Sequence, residues 1–456
     1  MENALAIACL LCLPASNAAS APAPDANAAW RELFAQPAPA DANRQLNAVL
    51  AACGNDVGRL KALIAADTAY EAFQPGWHRR RTDVQDGNTR YDVPYLVRVP
   101  WGYDANRSWP LILACHGQGG RGGDIGWVMQ EMLEGEANRY VIVTPTMPGP
   151  AVYNGRPYQE QAYVRPLEWA RLHLNIDDDR VYITGYSLGG HQSWHLATMF
   201  PHLFAGAVPM AGVPAFEGAP YTCHLYHENL SHLPLWAVWG ENDKATPPDL
   251  GNADVCREAA ARLKALGIAT FRGTELPGAG HGESFPPPEE FRKFLAAGRR
   301  QAVPEKLTRV FHLPSHRRAY WLEAVHLERP WIRLDGPIQF SMPPGPKPTT
   351  QQALDAGMKH LEKGLFRFTA SLDRAANRIT VEGTGIASWR LYLMDGMLDL
   401  SREVTIQIGS RTWRGRLKPS ARAMLLHYAA TRDAGALVLN EVDLFTTGRV
   451  NVRYGD

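Results

Sequence analysis

Val181-Tyr182-Ile183-Thr184-Gly185-Tyr186-Ser187-Leu188-Gly189-Gly190-His191 is the stretch from which the rest of this 456-residue chain can be read. A short β-branched run feeds straight into Gly-x-Ser-x-Gly, and the following Gln192-Ser193-Trp194-His195-Leu196-Ala197 suits a helix. A serine raised on a strained strand-to-helix turn leaves no room for neighbouring side chains, which accounts for glycine at 185 and 189. A glycine-rich turn with an incidental serine is the competing reading. The strand before the motif and the helix after it favour a nucleophile elbow, with Ser187 as nucleophile.

A serine hydroxyl attacks only when a histidine takes its proton, and that histidine needs a carboxylate to fix its tautomer. Leu235-Trp236-Ala237-Val238-Trp239 reads as a buried strand running into Gly240-Glu241-Asn242-Asp243, which puts an acid at a strand end. Asp243 is the expected orienting acid, with Glu241 the competitor. Thr270 to Leu276 reads as the next strand, and Pro277-Gly278-Ala279-Gly280-His281-Gly282 follows it, so His281 is the expected base. His191 and His195 fall on the helix behind the serine, and His224, His227 and His232 in a polar loop. The chain order Ser, Asp, His, each after its own strand, singles out His281.

The oxyanion of a tetrahedral intermediate needs backbone donors. The Leu188 N–H follows the serine directly. Pro110-Leu111-Ile112-Leu113-Ala114-Cys115 leads into His116-Gly117-Gln118-Gly119-Gly120, a His-Gly loop that supplies the second donor. His116 is expected to brace this loop rather than to transfer protons.

With these segments together the chain resembles the α/β-hydrolases of the secreted esterase group. Within it, the chain is most similar to feruloyl and acetylxylan esterases, polyhydroxybutyrate-depolymerase-like esterases and phospholipase/carboxylesterase proteins. Trp109 to Leu113, His116 to Gly119, Gly185 to Gly190, Phe204 to Pro209, Gly240 to Asp243 and Gly280-His281 carry the likeness, over roughly residues 80 to 300. The resemblance implies a mostly parallel sheet flanked by helices, a serine carboxylic-ester hydrolase, and Ser187, Asp243 and His281 as catalytic residues. It assigns the second oxyanion donor to the Gln118 N–H, with Gly117 as the fallback. It implies no metal and no organic cofactor. Two readings stay open beside it: a serine peptidase of the prolyl-oligopeptidase type, and a catalytically silent binding protein of the same fold.

Length leaves room for two folded domains. Hydrophobic residues make up 45% of the chain and charged residues 20%, ordinary for a protein with a large core, and a net charge of +1 gives no reason to expect nucleic acid. Residues 1–20, with the apolar run Ala4 to Leu13, read as a signal peptide without a basic n-region; it implies a secreted or periplasmic protein without a stable membrane anchor. Residues 21–77 read as an Ala/Pro-rich linker, to about 42, and a small helical lead-in. Residues 78–304 form the catalytic domain, opened by a hairpin through Asp86-Gly87-Asn88. From 305 to 456 short alternating runs predict a β-sandwich-like accessory domain, interrupted by a helical run from Gln351 to Glu362. That domain either contacts polysaccharide through exposed aromatics or covers the hydrolase.

Two further expectations concern the surroundings of the site. Cys223 and Cys256 flank the strand carrying Asp243, and in an exported protein a disulfide between them would brace the acid loop. Tyr186, Trp239 and Trp127 are the candidate substrate-pocket residues, with Tyr153 and Phe285 also near the catalytic segments in sequence. The substrate is expected to be a small or polymeric ester, either on plant polysaccharide or in a polyester-like chain.

Overall fold

The computed structural model describes residues 25–35, 42–67, 69–148, 157–216, 219–220, 222–245, 251–331, 352, 356, 359 and 362–455. The expected signal peptide, Tyr153 and most of the run from Gln351 to Glu362 lie outside them. Among the described residues, no helix is long and apolar enough to cross a membrane.

Ten strands belong to the N-terminal two thirds: β1 (Gly76–Asp86), β2 (Thr89–Val99), β3 (Trp109–Cys115), β4 (Val141–Pro145), β5 (Ile176–Tyr186), β6 (Gly206–Met210), the short β7 (Ala215–Phe216) and β8 (Ala219–Pro220), β9 (Leu235–Gly240) and β10 (Phe271–Leu276). Eight of them make one sheet in the order β1-β2-β4-β3-β5-β6-β9-β10. The first pairings, β1 with β2 and β2 with β4, are antiparallel, and the rest are parallel. The hairpin turns at Gly87, whose φ of 56° is a conformation glycine adopts without strain.

Both faces of this sheet are apolar because both are covered. Leu111, Leu113, Val181 and Ile183 point into one core, and the alternate residues Ile112, Ala114 and Tyr182 into the other. The second core is closed by Ile125 and Met129 of a helix spanning Gly122–Leu133 and by Phe291 and Leu295 of one spanning Pro288–Ala297.

The C-terminal region is a sandwich of two five-stranded sheets. One contains β11 (Lys306–Phe311), β14 (Phe366–Asp373), β15 (Arg378–Thr384), β17 (Val404–Ile408) and β18 (Arg411–Gly415). The other contains β12 (Arg318–Ala319), β13 (Leu322–Leu327), β16 (Ile386–Met394), β19 (Val438–Phe445) and β20 (Val450–Val452). Phe311, Trp321, Phe368, Val381, Trp389, Ile406 and Val442 fill the space between them. The run from Arg318 to Val325 is not one strand: Tyr320, at φ 50°, turns the chain between β12 and β13.

The expected linker needs a correction. It contains α1 (Ala26–Phe34), capped by the Asp25 carboxylate accepting from the Asn27 N–H. With α2 (Ala42–Ala52) and α3 (Val57–Ala65), it packs on a helix near the C-terminus (Ala421–Thr431) rather than standing apart as a lead-in. Trp30 donates to Asp67 Oδ1 at 2.7 Å, and Tyr428 donates to Asp67 Oδ2 at 2.8 Å, so one buried carboxylate joins the two ends of the chain. The abundance of alanine and proline masks the amphipathic pair Trp30 and Leu33.

After α3 the chain forms α4 (Gly122–Leu133), α5 (Pro157–His173), α6 (Leu188–Met199), α7 (Asn252–Ala265), α8 (Pro288–Ala297) and α9 (Ala421–Thr431).

Candidate active site

Ser187 stands between β5 and α6 at φ 58° and ψ −118°. Three glycines make this turn sterically accessible. A Cβ on Gly189 would lie 2.0 Å from the Cys115 carbonyl oxygen, one on Gly185 2.4 Å from the Gly189 oxygen, and one on Gly190 2.4 Å from the Met210 oxygen. The serine backbone is fixed on both sides: its N–H donates to Met210 O at 2.9 Å, and its carbonyl accepts the His191 N–H at 3.0 Å. The hydroxyl is left to face the loop that carries His281.

That loop brings His281 Nε2 to 2.8 Å from Ser187 Oγ, and Nδ1 to 2.7 Å from Asp243 Oδ2. The network assigns the proton of a neutral imidazole to Nδ1, donating to the carboxylate, and leaves Nε2 to accept the serine proton. The His281 side chain is 42% exposed and that of Asp243 12%, so the imidazole opens to solvent while the carboxylate behind it is shielded. Several contacts hold the loop. Tyr186 Oη donates to His281 O at 2.8 Å, Ser284 Oγ donates to Gly280 O at 2.8 Å, and Glu283 Oε2 accepts the Gly280 N–H at 2.8 Å.

The competing acid has other work. Glu241 Oε2 accepts the Gly278 N–H at 2.8 Å, which ties the acid loop to the turn preceding His281. Asn252, in the first turn of α7, escaped the sequence reading. Its Nδ2 donates to Asp243 Oδ2 at 3.0 Å and lies 3.2 Å from the carbonyl oxygen of Ala211, itself at φ 49°. An asparagine nine positions beyond the acid has no sequence signal of its own; only the return of α7 to the sheet brings it there.

On the other side of Ser187, Gly117 comes close enough that an added Cβ would stand 3.6 Å from Ser187 Cβ. The exposed Gln118 follows it, and Leu188 is the first residue of α6. An N–H in the first turn of a helix has no intrahelical acceptor and sits at the positive end of the helix dipole. His116 is buried and fully used: Nδ1 donates to Gly117 O at 2.7 Å, and Nε2 accepts the Met147 N–H at 2.9 Å. Burial holds its pKa below the usual histidine value.

The candidate pocket residues separate. Trp127 projects from α4 with 62% exposure. Tyr186 stacks on Phe285 with ring centroids 4.7 Å apart and spends its hydroxyl on the His281 carbonyl, so it supports the His281 loop. Trp239 is a correction: only 4% exposed, it packs in the core and donates from Nε1 to Glu275 Oε2 at 3.0 Å, so it lines no cleft. The expected bridge between Cys223 and Cys256 is likewise corrected at Cys256, which is a free buried thiol on the inner side of α7 with Sγ 3.4 Å from Gly212 O. The Cys223 side chain lies outside the described residues. Among the described residues, Glu160, His195 and His316 bring three potential ligand atoms within 4.8 Å of one another, apart from the Ser187 cluster.

No protein-family model matches this chain, and no curated protein matches it. Solved structures do. A thermostable esterase is 23% identical with a TM-score of 0.40, over 49% of this chain and 63% of its own. A ferulic acid esterase from Anaeromyces mucronatus is 18% identical with a TM-score of 0.36, over 50% of this chain and 94% of its own. An acylaminoacyl peptidase from Pyrococcus horikoshii is 17% identical with a TM-score of 0.37, over 49% of this chain and 42% of its own. The strand order, the elbow at Ser187 and the acid and histidine on the loops after β9 and β10 give the region from β1 to α8 the α/β-hydrolase fold.

Proposed function

We propose that this chain is a serine carboxylic-ester hydrolase working through an acyl-enzyme. The observation that carries the reading is the hydrogen-bonded relay Ser187 Oγ, His281 Nε2, His281 Nδ1, Asp243 Oδ2, with successive contacts of 2.8 and 2.7 Å. His281 removes the Ser187 proton as Oγ attacks the ester carbonyl, and Asp243 stabilises the resulting imidazolium. The N–H groups of Leu188 and Gln118 receive the oxyanion. Collapse of the tetrahedral intermediate expels the alcohol with the proton from His281, leaving the acyl group on Ser187. Water, deprotonated by the same histidine, attacks the acyl-enzyme and releases the acid. Every step uses protons and electron pairs supplied by these residues, the ester and water.

The same proposal includes export, supported by the apolar run at residues 4–13, and an ester on plant polysaccharide or in a polyester-like chain as substrate. The test is hydrolysis of p-nitrophenyl esters from acetate to decanoate, methyl ferulate and a proline p-nitroanilide by wild type and Ser187→Ala. Serine-dependent ester cleavage with an idle anilide is expected. Anilide cleavage with little ester turnover would replace the reading with a peptidase. No reaction with a fluorophosphonate probe would replace it with a silent binding protein.

A further inference from the structure

Three side chains that bind transition metals converge where the hydrolase region meets the sandwich. Glu160 comes from α5, His195 from α6 and His316 from the short turn Pro314–His316 just before β12. All three side chains are 0% exposed. Glu160 Oε1 lies 2.6 Å from His195 Nε2 and 2.7 Å from His316 Nε2, and one ligand atom of each residue lies within 4.8 Å of the others.

The carboxylate is incompletely satisfied. Glu160 Oε2 has no hydrogen-bond partner among the described residues. A buried polar atom left bare costs about 1–3 kcal/mol, and more when charged. Among the described residues, no lysine or arginine pairs with Glu160. Arg309, buried close by, spends its guanidinium on the carbonyls of His316, Thr198 and Met199, at 2.6, 3.3 and 2.6 Å. A cation seated against both carboxylate oxygens would complete the site.

We propose that Glu160, His195 and His316 bind a divalent transition-metal ion. Two imidazole nitrogens and a carboxylate favour zinc. The two Nε2 atoms take two positions on the ion and the Glu160 carboxylate, whose two oxygens lie too close together to span a tetrahedral edge, takes a third; with all three side chains at 0% exposure, the ion is structural. Each imidazole moves its proton from Nε2 to Nδ1, so binding releases no proton. Ligand atoms around zinc, with bonds of roughly 2.1 Å, stand roughly 3.4 Å apart, so the carboxylate moves outward by under about 1 Å. The ion fastens α5 and α6 to the segment that enters β12. It is sealed from solvent and enters as the two regions fold together.

The full-length chain, produced in zinc-supplemented medium and dialysed against a weak chelator, is assayed for metal by mass spectrometry. About one zinc per chain is expected, falling at least tenfold in His316→Gln and Glu160→Gln. Less than about a tenth of an equivalent in wild type, or full retention in both variants, would overturn the site. Zinc-edge X-ray absorption on wild type decides the matter even if the variants fail to fold. Two imidazoles with oxygen donors are expected, and a sulfur ligand or a shell of water oxygens would sink the assignment. Esterase activity enters none of these readouts.

Discussion

Among the carboxylate–histidine clusters of this molecule, those at Ser187 and Glu160 are built from the same chemistry and put to opposite ends by their surroundings. At Ser187 the imidazole is 42% exposed and has one carboxylate, whose oxygen is shared with Asn252, so a proton can pass between hydroxyl and ring. At Glu160 two imidazoles share one carboxylate oxygen at 0% exposure, and no substrate can approach. The difference is one of position in the fold. The first cluster sits on loops at the C-terminal ends of β5, β9 and β10, where side chains can meet a ligand. The second sits between packed layers, where desolvation makes every unpaired charge costly and rewards a rigid joint.

If the comparison is sound, disabling each cluster has different symptoms. Ser187→Ala should lower kcat by about 10⁴- to 10⁶-fold with the unfolding midpoint almost unchanged, measured by steady-state kinetics beside a denaturant titration. Retained turnover would end the proposed mechanism. Glu160→Gln should do the reverse: a loss of about 3–5 kcal/mol in denaturant unfolding, with kcat of the folded fraction close to wild type. A variant as stable as wild type would show that the buried cluster fastens nothing.

A milder perturbation sharpens the contrast inside the first cluster. Asn252→Ala removes one donor from the Asp243 carboxylate and should lower kcat about 10- to 100-fold, with the acidic limb of the kcat pH profile shifted and KM little changed. If the loss falls on KM alone, Asn252 shapes binding instead of holding the acid.

Acid acts elsewhere, on two buried histidines that belong to neither cluster. Burial drives the pKa values of His224 and His227 down to about 2 and about 3. The unfolded chain takes up protons at these histidines below about pH 6.5, while the folded chain does not until far lower. Stability is therefore full above pH 6.5 and declines as pH falls toward 3. Unfolding midpoints between pH 8 and 4 should fall monotonically, and a rise on acidification would contradict this.

Legibility in the sequence followed the same division. Ser187, Asp243 and His281, which share one hydrogen-bonded row, could be singled out because each follows a strand and the proposed role dictates residue type. Asn252 could not, since a helix start carries no mark of the carboxylate it will meet. The Glu160 cluster spans 156 positions between its outer members and obeys no local period. Trp239 misled because a tryptophan at the end of a buried strand looks the same in sequence whether it faces a cleft or the core. Trp30 hid inside a composition typical of linkers, although it is one of the largest fully buried side chains.

The joining of α1, α2 and α3 to α9 through Asp67 also sets a timetable for biosynthesis. These helices leave the ribosome roughly 350 residues ahead of their partner α9. At about 5–20 residues per second the wait is on the order of 20–70 s. Throughout that interval Trp30, Leu46 and Leu60 lack the native surface of α9, so the nascent chain offers chaperones a binding site that disappears only once α9 has emerged.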